Sequence, residues 1–483
     1  MPVIRIGRRA AGAANSVVAR WLPRHRSRSA ADLWKRITPA QMLVLSFAGL
    51  VLVGTVGFRV LPGLYTGEPL SWIDALFTAT SAVCVTGLAV VDTATFFTPW
   101  GQAWILVLIQ AGGLGLLTLT SLILLTVGRR LSLRNEQLVS GSGEGMPRVD
   151  VPRLIRLVLR TTFVIEGAGA LLLYGAWVGD FGWTGAIWPS IFHAVSAFCN
   201  AGFSTFSLSL MGETQSPMTL LTVMALIILG GLGFLTISEI AERGQRSTKR
   251  RPRLSLHARF VLAATVLALV WGMVTFAWFE WDNTLREMSV LDKLMNATFA
   301  SVSARTAGFN TVDFAQITAP SALLMMILMF IGGAPASTAG GIKVTTVAVL
   351  GALMLARMRG QQRVSVWNRS VPDETIGRAI GLTILAVSVV VVALFLMIAS
   401  EAPANARAAG QEDFVRYAFE VVSAFGTVGL SMNTTPTLSP EGRLLAIALM
   451  FIGRVGILSV GAAIALTSRQ ARFRYAYEDV AIG

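Results

Sequence analysis

Ser196-Ala-Phe-Cys-Asn-Ala-Gly202 is one of four related seven-residue segments, and these segments indicate how the chain is organised. Each segment ends on a glycine and follows a short, partly apolar stretch typical of a helix. The other three read Ser81-Ala-Val-Cys-Val-Thr-Gly87, Val302-Ser-Ala-Arg-Thr-Ala-Gly308 and Ser423-Ala-Phe-Gly-Thr-Val-Gly429. Their glycines lie 115, 106 and 121 positions apart (202−87, 308−202 and 429−308). Recurrence at such spacing predicts one structural unit present four times around a shared axis.

The composition places the chain in a lipid bilayer. Its 483 residues are 54% hydrophobic and only 14% charged, whereas soluble domains carry about 25% charged residues. A helix needs about 20 apolar residues to cross the hydrocarbon core. We therefore predict an all-α polytopic membrane protein with eight spans. They lie near 41–60, 102–127, 155–178, 217–240, 258–280, 376–399 and 442–467, with a longer, interrupted span at 320–357.

The net charge of +14 could indicate a nucleic-acid surface, but its distribution favours membrane topology. The basic residues concentrate in alternate loops, at 129–156, 243–253 and 357–369, and at both ends of the chain, whereas the intervening loops are comparatively acidic. Because positive loops stay on the cytoplasmic side, both termini are predicted to be cytoplasmic. We expect no nucleic-acid partner.

Each predicted unit consists of an apolar span, an outer loop, a short helix ending in the glycine loop, and a second apolar span. The short helices are predicted at 72–83, 188–198, 291–304 and 414–425, too short to cross a bilayer and therefore re-entrant. The predicted boundaries are a basic cytoplasmic arm at 1–38, repeats at 39–128, 129–242, 243–358 and 359–469, and a cytoplasmic tail at 470–483.

A second glycine signature recurs in the second span of each unit. Gly112-Gly, Gly230-Gly, Gly332-Gly and Gly453-Arg lie 25, 28, 24 and 24 residues after the loop glycines (112−87, 230−202, 332−308 and 453−429). Small residues let helix backbones approach closely, so helix packing would explain any one pair. Recurrence at a nearly fixed offset favours the repeat.

The four loops carry the residue types of a cation filter. A dehydrated monovalent cation needs a ring of oxygen ligands, and glycine lets backbone carbonyls turn inward to supply them. Four ordinary helix ends at glycine are the alternative, but these would not require the same preceding helix each time. The predicted ligands of this cation are the carbonyls of Val85, Thr86, Gly87, Asn200, Ala201, Gly202, Thr306, Ala307, Gly308, Thr427, Val428 and Gly429.

This pattern resembles the Trk/Ktr/HKT superfamily of potassium transporters, from about residue 40 onward. The chain is more similar to the KtrB-type membrane subunit than to TrkH-type chains, which carry two additional spans before the first repeat. Residues 303–311, Ser-Ala-Arg-Thr-Ala-Gly-Phe-Asn-Thr, closely fit the third loop of that group. The resemblance implies potassium uptake across the cytoplasmic (inner) membrane of a prokaryote, and it leaves open whether sodium is coupled.

The resemblance also implies partners. It suggests a homodimer in which each protomer has its own pore, and a separate cytosolic ring of nucleotide-binding regulatory subunits of the KtrA/TrkA type. No covalent cofactor is expected, because the ion itself is the cargo.

The interrupted span contains a segment rich in glycine that cannot continue a helix. It is predicted to form a loop at membrane depth, and the resemblance makes it the gate under the filter. A static kink is the alternative, and a phosphate-binding loop is excluded because the Gly-Lys-Ser/Thr sequence is absent. The predicted gate residues are Gly332, Gly333, Ala334, Pro335, Ala336, Ser337, Thr338, Ala339, Gly340, Gly341, Lys343 and Arg454.

Arg454 is a charge in the middle of the last span, where it replaces the second glycine of the repeated pair. A charge at that depth is a candidate functional residue. We expect it to point to the axis below the filter, with Glu420, loop carbonyls, or Ser337 and Thr338 as partners. A purely structural salt bridge is the alternative.

Two other function classes remain to be weighed. One is a structural or coupling membrane subunit of an ion-translocating ATPase, in which ions move elsewhere. The other, a membrane enzyme, is disfavoured because the sequence has three histidines, no His-Glu-x-x-His, no nucleophile elbow and no Cys-x-x-Cys.

Overall fold

The computed structural model describes residues 39–126, 151–245, 254–401 and 411–456. The predicted arm at 1–38, the tail at 470–483, the end of the last predicted span, and much of the first two basic loops lie outside the described residues. Everything below concerns the described ranges.

The described residues are predominantly α-helical, and the order of the helices follows the predicted units. The first two units contain α1 (Pro39–Val60), α2 (Trp72–Val83), α3 (Thr93–Phe96), α4 (Pro99–Thr126), α5 (Val151–Gly185), α6 (Ile187–Cys199), α7 (Pro217–Gly231) and α8 (Phe234–Gln245). The last two contain α9 (Leu256–Glu280), α10 (Val290–Ser303), α11 (Ala319–Phe330), α12 (Val344–Met358), α13 (Asp373–Glu401), α14 (Gln411–Gly426) and α15 (Pro440–Val455).

Four of these helices are long and apolar enough to cross a bilayer. They are α1, α5, α9 and α13, and the pair α7–α8 would make a fifth if the bent pair is one span. The helical geometry of α5 is interrupted near its end at Gly182, which has φ +72°. This count supports a multi-pass membrane protein, while the eight-span arrangement stays a prediction.

The four short helices α2, α6, α10 and α14 occupy the ranges that the sequence predicts. Two of them have a serine N-cap: Ser71 accepts a hydrogen bond from Asp74 N, and Ser289 accepts one from Asp292 N. Each short helix packs against the long helix that precedes it, α1, α5, α9 or α13 respectively. The glycine loops therefore start from buried helix ends rather than from surface turns.

Contacts between units follow one rule throughout the molecule. The helix after each glycine loop packs against the short helix of the next unit: α4 on α6, α7 on α10, and α11 on α14. The last helix, α15, packs on α2 of the first unit. The succession of units consequently closes on itself.

One predicted span differs from the expectation. The run 217–240 was expected to be continuous, but α7 and α8 are bent by 101°. Gly233 lies at the bend with φ +79°, and Phe234 N donates to Ala336 O at 3.0 Å. A distant loop fills the bend and satisfies the backbone, so the local sequence alone did not reveal it.

The predicted break in the span 320–357 is present. Helix α11 ends at Phe330 and α12 begins at Val344. Ile331 and Ile342 pair as an isolated parallel bridge, with Gly332 N donating to Ile342 O at 2.8 Å. We name residues 331–343 the intramembrane loop. A short hairpin, β1 (Ser365–Val366) with β2 (Arg369–Ser370), joins α12 to α13.

Candidate functional site

The four loop glycines have left-handed backbone torsions. Their φ angles are +92° at Gly87, +69° at Gly202, +79° at Gly308 and +97° at Gly429. The residue two positions before each glycine is also left-handed, although none of the four is glycine. These residues are Val85, Asn200, Thr306 and Thr427, with φ of 57°, 61°, 70° and 50°.

A left-handed side-chain-bearing residue costs about 1–2 kcal/mol, so the surrounding packing must hold these four in place. Three of them, Val85, Thr306 and Thr427, are not residue types that favour this region. The alternation of left-handed and ordinary residues gives all four loops the same backbone path.

The glycines are needed for close approach as well as for torsion. A Cβ atom on Gly87 would lie 2.4 Å from Ala201 O, and one on Gly202 would lie 2.9 Å from Ala307 O. A Cβ on Gly308 would lie 2.4 Å from Val428 O, and one on Gly429 would lie 2.2 Å from Thr86 O. Each glycine thus faces a carbonyl of the next loop, and the fourth faces the first.

All twelve residues proposed from the sequence as filter residues lie in this closed succession of loops. A cavity of about 450 Å³ is lined by all four glycines. Two carboxylates in its wall, Asp92 and Asp313, accept bonds from Ala94 N at 3.0 Å and from Ala315 N at 2.9 Å. The four loops therefore border one common cavity.

Serines near the ends of the short helices tie the loops down. Ser81 Oγ donates to Leu88 O at 2.7 Å, and Ser196 Oγ donates to Phe203 O at 2.8 Å. Ser423 Oγ accepts from Gly429 N at 3.2 Å. The third loop uses Ser303, one position later in the repeat, which donates to Phe309 O. Sequence reasoning missed these residues, although the repeated Ser-Ala pair was a visible signal.

The intramembrane loop packs against the end of the short helix α6 and the end of α7. Thr338 Oγ1 donates to Phe198 O at 3.2 Å, and Ala334 N donates to Gly231 O at 2.9 Å. A Cβ on Gly340 would lie only 2.0 Å from Thr427 Oγ1. The intramembrane loop therefore touches residues that immediately precede or belong to the glycine loops.

Three cationic side chains hold the intramembrane loop through its carbonyl oxygens. Arg454 donates to Thr338 O and, at 3.0 Å, to Gly112 O, while its side chain is only 4% exposed. Arg305 donates to Gly332 O at 3.4 Å, and Lys343 Nζ donates to Ala339 O at 2.6 Å. Within the described ranges none of the three forms an ion pair with a carboxylate.

Of the partners expected for Arg454, the loop carbonyls are the ones observed. Glu420 is not a partner of Arg454, because its carboxylate accepts from Ser431 Oγ at 2.7 Å and from Thr435 Oγ1. Its buried carboxyl group is bonded by these two hydroxyls of the segment that follows the fourth loop. The alternative, a purely structural salt bridge of Arg454, is absent from the described residues.

The recurring glycines of the second spans make room for the ends of the short helices. A Cβ on Gly112 would lie 1.9 Å from Val83 O, one on Gly230 would lie 2.0 Å from Phe198 O, and one on Gly453 would lie 1.9 Å from Phe425 O. Gly332 departs from this rule, because its neighbour is Gly340 O of the intramembrane loop. In the third unit, this glycine therefore contacts the intramembrane loop instead of the end of a short helix.

Backbone oxygens are the ligands that the ring can offer. Within the described ranges, no group of three or more His, Cys, Asp or Glu side chains could hold a metal ion. Cys84 and Cys199 are buried free thiols, and Cys199 Sγ lies 3.2 Å from Gln110 Oε1. Uncharged carbonyl oxygens in a ring suit a monovalent cation better than a transition metal.

Comparison with known proteins gives three findings. The family model described as the cation transport protein TrkH matches residues 34–474. The Ktr system potassium uptake protein B of Bacillus subtilis (strain 168) is 37% identical over 452 residues, covering 93% of this chain and 98% of that protein. The potassium/sodium uptake protein NtpJ of Enterococcus hirae is 37% identical over 450 residues, covering 93% and 97%.

A solved structure has a similar fold. The potassium transporter TrkH from Vibrio parahaemolyticus superposes with a TM-score of 0.70 at 20% identity, covering 89% of this chain and 86% of that one. At this identity the likeness concerns the fold alone.

Proposed function

Since the chain belongs to the TrkH family of cation transport proteins, we propose that it takes up potassium ions across the cytoplasmic membrane through its four glycine loops. In this proposal eight spans form four units around one pore, and potassium binds the carbonyls of residues 85–87, 200–202, 306–308 and 427–429. The relatives named for potassium uptake support the choice of ion.

One observation carries the proposal. Each loop glycine faces a carbonyl of the next loop, and the fourth loop returns to the first. Four helix ends that merely stop at glycine would have no reason to meet in this cyclic order. These contacts bring backbone carbonyls of all four loops close together, and a ring of backbone carbonyls is the arrangement that replaces the hydration shell of a cation.

We propose that the intramembrane loop and Arg454 gate this pore. The loop contacts Phe198 O and approaches Thr427, and none of its residues, all of which the structure describes, lines the shared cavity. Arg454 adds a fixed positive charge there, and a cation passing it must overcome repulsion in a low-dielectric setting. Movement of the loop would carry its carbonyls away from Arg454 and open the path.

The proposed setting is a prokaryotic cytoplasmic membrane with both termini inside. The basic loops at 357–369 and elsewhere support that orientation. The name Ktr system, carried by one relative, fits a transporter of several components. We propose that this chain forms a homodimer and binds a cytosolic ring of nucleotide-binding regulatory subunits.

Growth of potassium-uptake-deficient cells at low external potassium tests the proposal. Expression of this chain with its regulatory partner should restore growth, and Gly429→Ser should abolish the rescue without loss of membrane insertion. Absence of rescue, together with absence of potassium flux in reconstituted vesicles, would favour a structural subunit of an ion-translocating ATPase. The NtpJ relative makes sodium the competing ion to measure.

A further inference from the structure

A deep apolar groove of about 910 Å³ runs between α9 and α12, away from the ring of glycine loops. Small side chains form much of its floor, and Gly351 faces open space, because a Cβ added there would meet nothing within 4 Å. The walls include Leu267, Trp271 and Leu355, which are 72%, 42% and 54% exposed. This groove is long and apolar, as an extended hydrocarbon chain requires.

One end of the groove is basic and aromatic. Arg359 and Trp367 line it, and a second cavity of about 780 Å³ shares Trp367 and adds Arg259 and Arg369. Trp367 packs against Phe260 in a tilted arrangement, with ring centroids 5.6 Å apart. In the part of the chain that the structure describes, none of these three arginines forms an ion pair. Their charges are available to an anionic group at the mouth.

The inner end of the groove touches both sides of the intramembrane loop. Ile331, the first residue of that loop, and Val344, the residue that follows it, both line the groove. Ile331 pairs with Ile342, and Val344 N donates to Gly333 O at 3.0 Å. A molecule that fills the groove therefore packs against both ends of the intramembrane loop.

We propose that this groove binds an anionic phospholipid, with an acyl chain along α9 and α12 and the headgroup phosphate at Arg259, Arg359 and Arg369. The inference rests on the proposed orientation, which puts the basic mouth at the cytoplasmic leaflet, where anionic lipids are found. Arginine binds phosphate through paired N–H donors. Bound lipid supports Ile331 and Val344 and so favours one position of the intramembrane loop.

A lipid fits these features better than a second copy of the chain. The groove is lined by the apolar residues of two helices, α9 and α12, and within the described ranges the arginines at its charged end have no carboxylate partner. A protein partner would need an acidic segment at the mouth joined to an apolar one at membrane depth. A phospholipid combines both in one molecule and is already present around the protein.

Native mass spectrometry of the full-length protein, purified from vesicles of phosphatidylcholine with added dioleoyl-phosphatidylglycerol, tests this site. We expect retained phosphatidylglycerol on the wild type. Gly351→Leu should lose it, since the new side chain fills the groove without a clash. Gly381→Leu is the matched control, because Gly381 is another exposed glycine in open space, on α13. That variant should retain the lipid.

The headgroup contact is tested separately from the groove. Arg259→Gln and Arg369→Gln should each weaken retention about fivefold, the effect of about 1 kcal/mol per basic residue near an anionic surface. Arg378→Gln is the control, because Arg378 is an exposed arginine that already pairs with Glu374. We also expect potassium flux of the wild type to differ between vesicles with and without phosphatidylglycerol, and Gly351→Leu to remove that difference.

Equal lipid retention by Gly351→Leu and Gly381→Leu would overturn the inference. Loss of a dimer rather than of lipid in Gly351→Leu would also overturn it and would assign the groove to a second copy. Because lipid retention is measured by mass and not by transport, failure here leaves the proposed potassium transport intact. Failure of transport, conversely, would not abolish the mass signal.

Discussion

Gly308 combines two requirements that only glycine meets at its position in the third loop. Its φ of +79° lies in the left-handed region, and a Cβ atom would lie 2.4 Å from Val428 O of the next loop. Torsion alone would permit a strained substitute, but the close approach of a backbone oxygen would not. A side chain at this residue must therefore displace a carbonyl of the proposed ring.

Replacement of this glycine should change selectivity. We expect Gly308→Ser to lower the preference for potassium over sodium by about tenfold, equivalent to about 1.4 kcal/mol, because the Val428 carbonyl moves. The measurement is the permeability ratio in reconstituted vesicles.

The control for this substitution is Gly63→Ser. Gly63 has a similar φ of +74°, but a Cβ there would meet nothing within 4 Å. Gly63→Ser should lower the thermal stability, because serine is strained at this φ, and should leave the preference for potassium over sodium unchanged. An unchanged ratio in Gly308→Ser would remove this loop from the filter.

A serine hydroxyl offers a milder test of the same ring. Ser196 Oγ holds Phe203 O at 2.8 Å, and a hydrogen bond of this kind contributes about 1 kcal/mol. Ser196→Ala should loosen the second loop and reduce potassium selectivity without loss of folding. Ser388→Ala removes a similar hydroxyl, bonded to Ile384 O at 2.9 Å, at an exposed position of α13. If both variants select potassium equally well, the serine does not position the filter.

At the scale of single residues, the sequence predicts the four loop glycines but not the left-handed torsions of the residues two positions before them. Glycine readily adopts positive φ angles, so its recurrence in the four loops indicates an unusual backbone torsion there. Val85 and Thr427 carry side chains that disfavour left-handed torsions, and only packing from other units keeps them there. Ser303 was obscured by its shift of one position, although it makes the same kind of bond as Ser196.

At the scale of elements, the intramembrane loop is held by hydrogen bonds from three parts of the molecule. Its carbonyls accept from Arg305 of the third glycine loop, from Arg454 of α15, and from Phe234 N at the start of α8. These donors belong to three different units. A shift of the loop must break contacts with all three, which favours two discrete positions over a continuous drift.

Removal of the buried charge on α15 should ease the passage of cations. We expect Arg454→Gln to raise potassium flux about tenfold, since it removes both the repulsion and the strong donors that hold Thr338 O. Arg443→Gln, on the same helix, is the control. Arg443 pairs with Asp74 at 2.5 Å and donates to Pro436 O at 3.1 Å, so its bonds go to residues outside the intramembrane loop. Flux in folded Arg454→Gln that equals or falls below wild type would contradict a gating role.

Of the two broken spans, the sequence predicts one break but not the other. The break after α11 was predicted, because Pro335 and four glycines occur within a short window. The bend at Gly233 was not, because Gly230-Gly-Leu-Gly233 reads equally well as helix packing. Its cause is the backbone of Pro335 and Ala336, more than a hundred positions away in the chain. Local sequence carries no record of such a contact.

For the whole molecule, the repeat was the most informative prediction. Equivalent glycines led to the correct positions of all four short helices, because the same local pattern forms the same helix end four times. The cyclic packing of α4 on α6, α7 on α10, α11 on α14 and α15 on α2 came only from the structure. Sequence gives the unit, whereas the contacts between units depend on residues far apart in the chain.

Orientation in the membrane is a prediction at this scale. Asn433 lines the shared cavity beyond the glycine loops, and Gln362 lies in the basic segment between α12 and α13. Both side chains are exposed, and the native cysteines are buried. Asn433→Cys should react with an impermeant maleimide added to intact cells, whereas Gln362→Cys should react only after permeabilisation. The opposite pattern would invert the proposed topology.

The most direct measurement is cation flux through the purified full-length chain in vesicles, across a series of potassium, rubidium, sodium and lithium. The account predicts that potassium and rubidium pass at similar rates, that sodium passes more slowly and lithium more slowly still, and that Gly308→Ser narrows these differences. Absence of cation flux in correctly folded protein, or a series that the loop substitution leaves unchanged, would contradict the claim that the four glycine loops form the ion pathway.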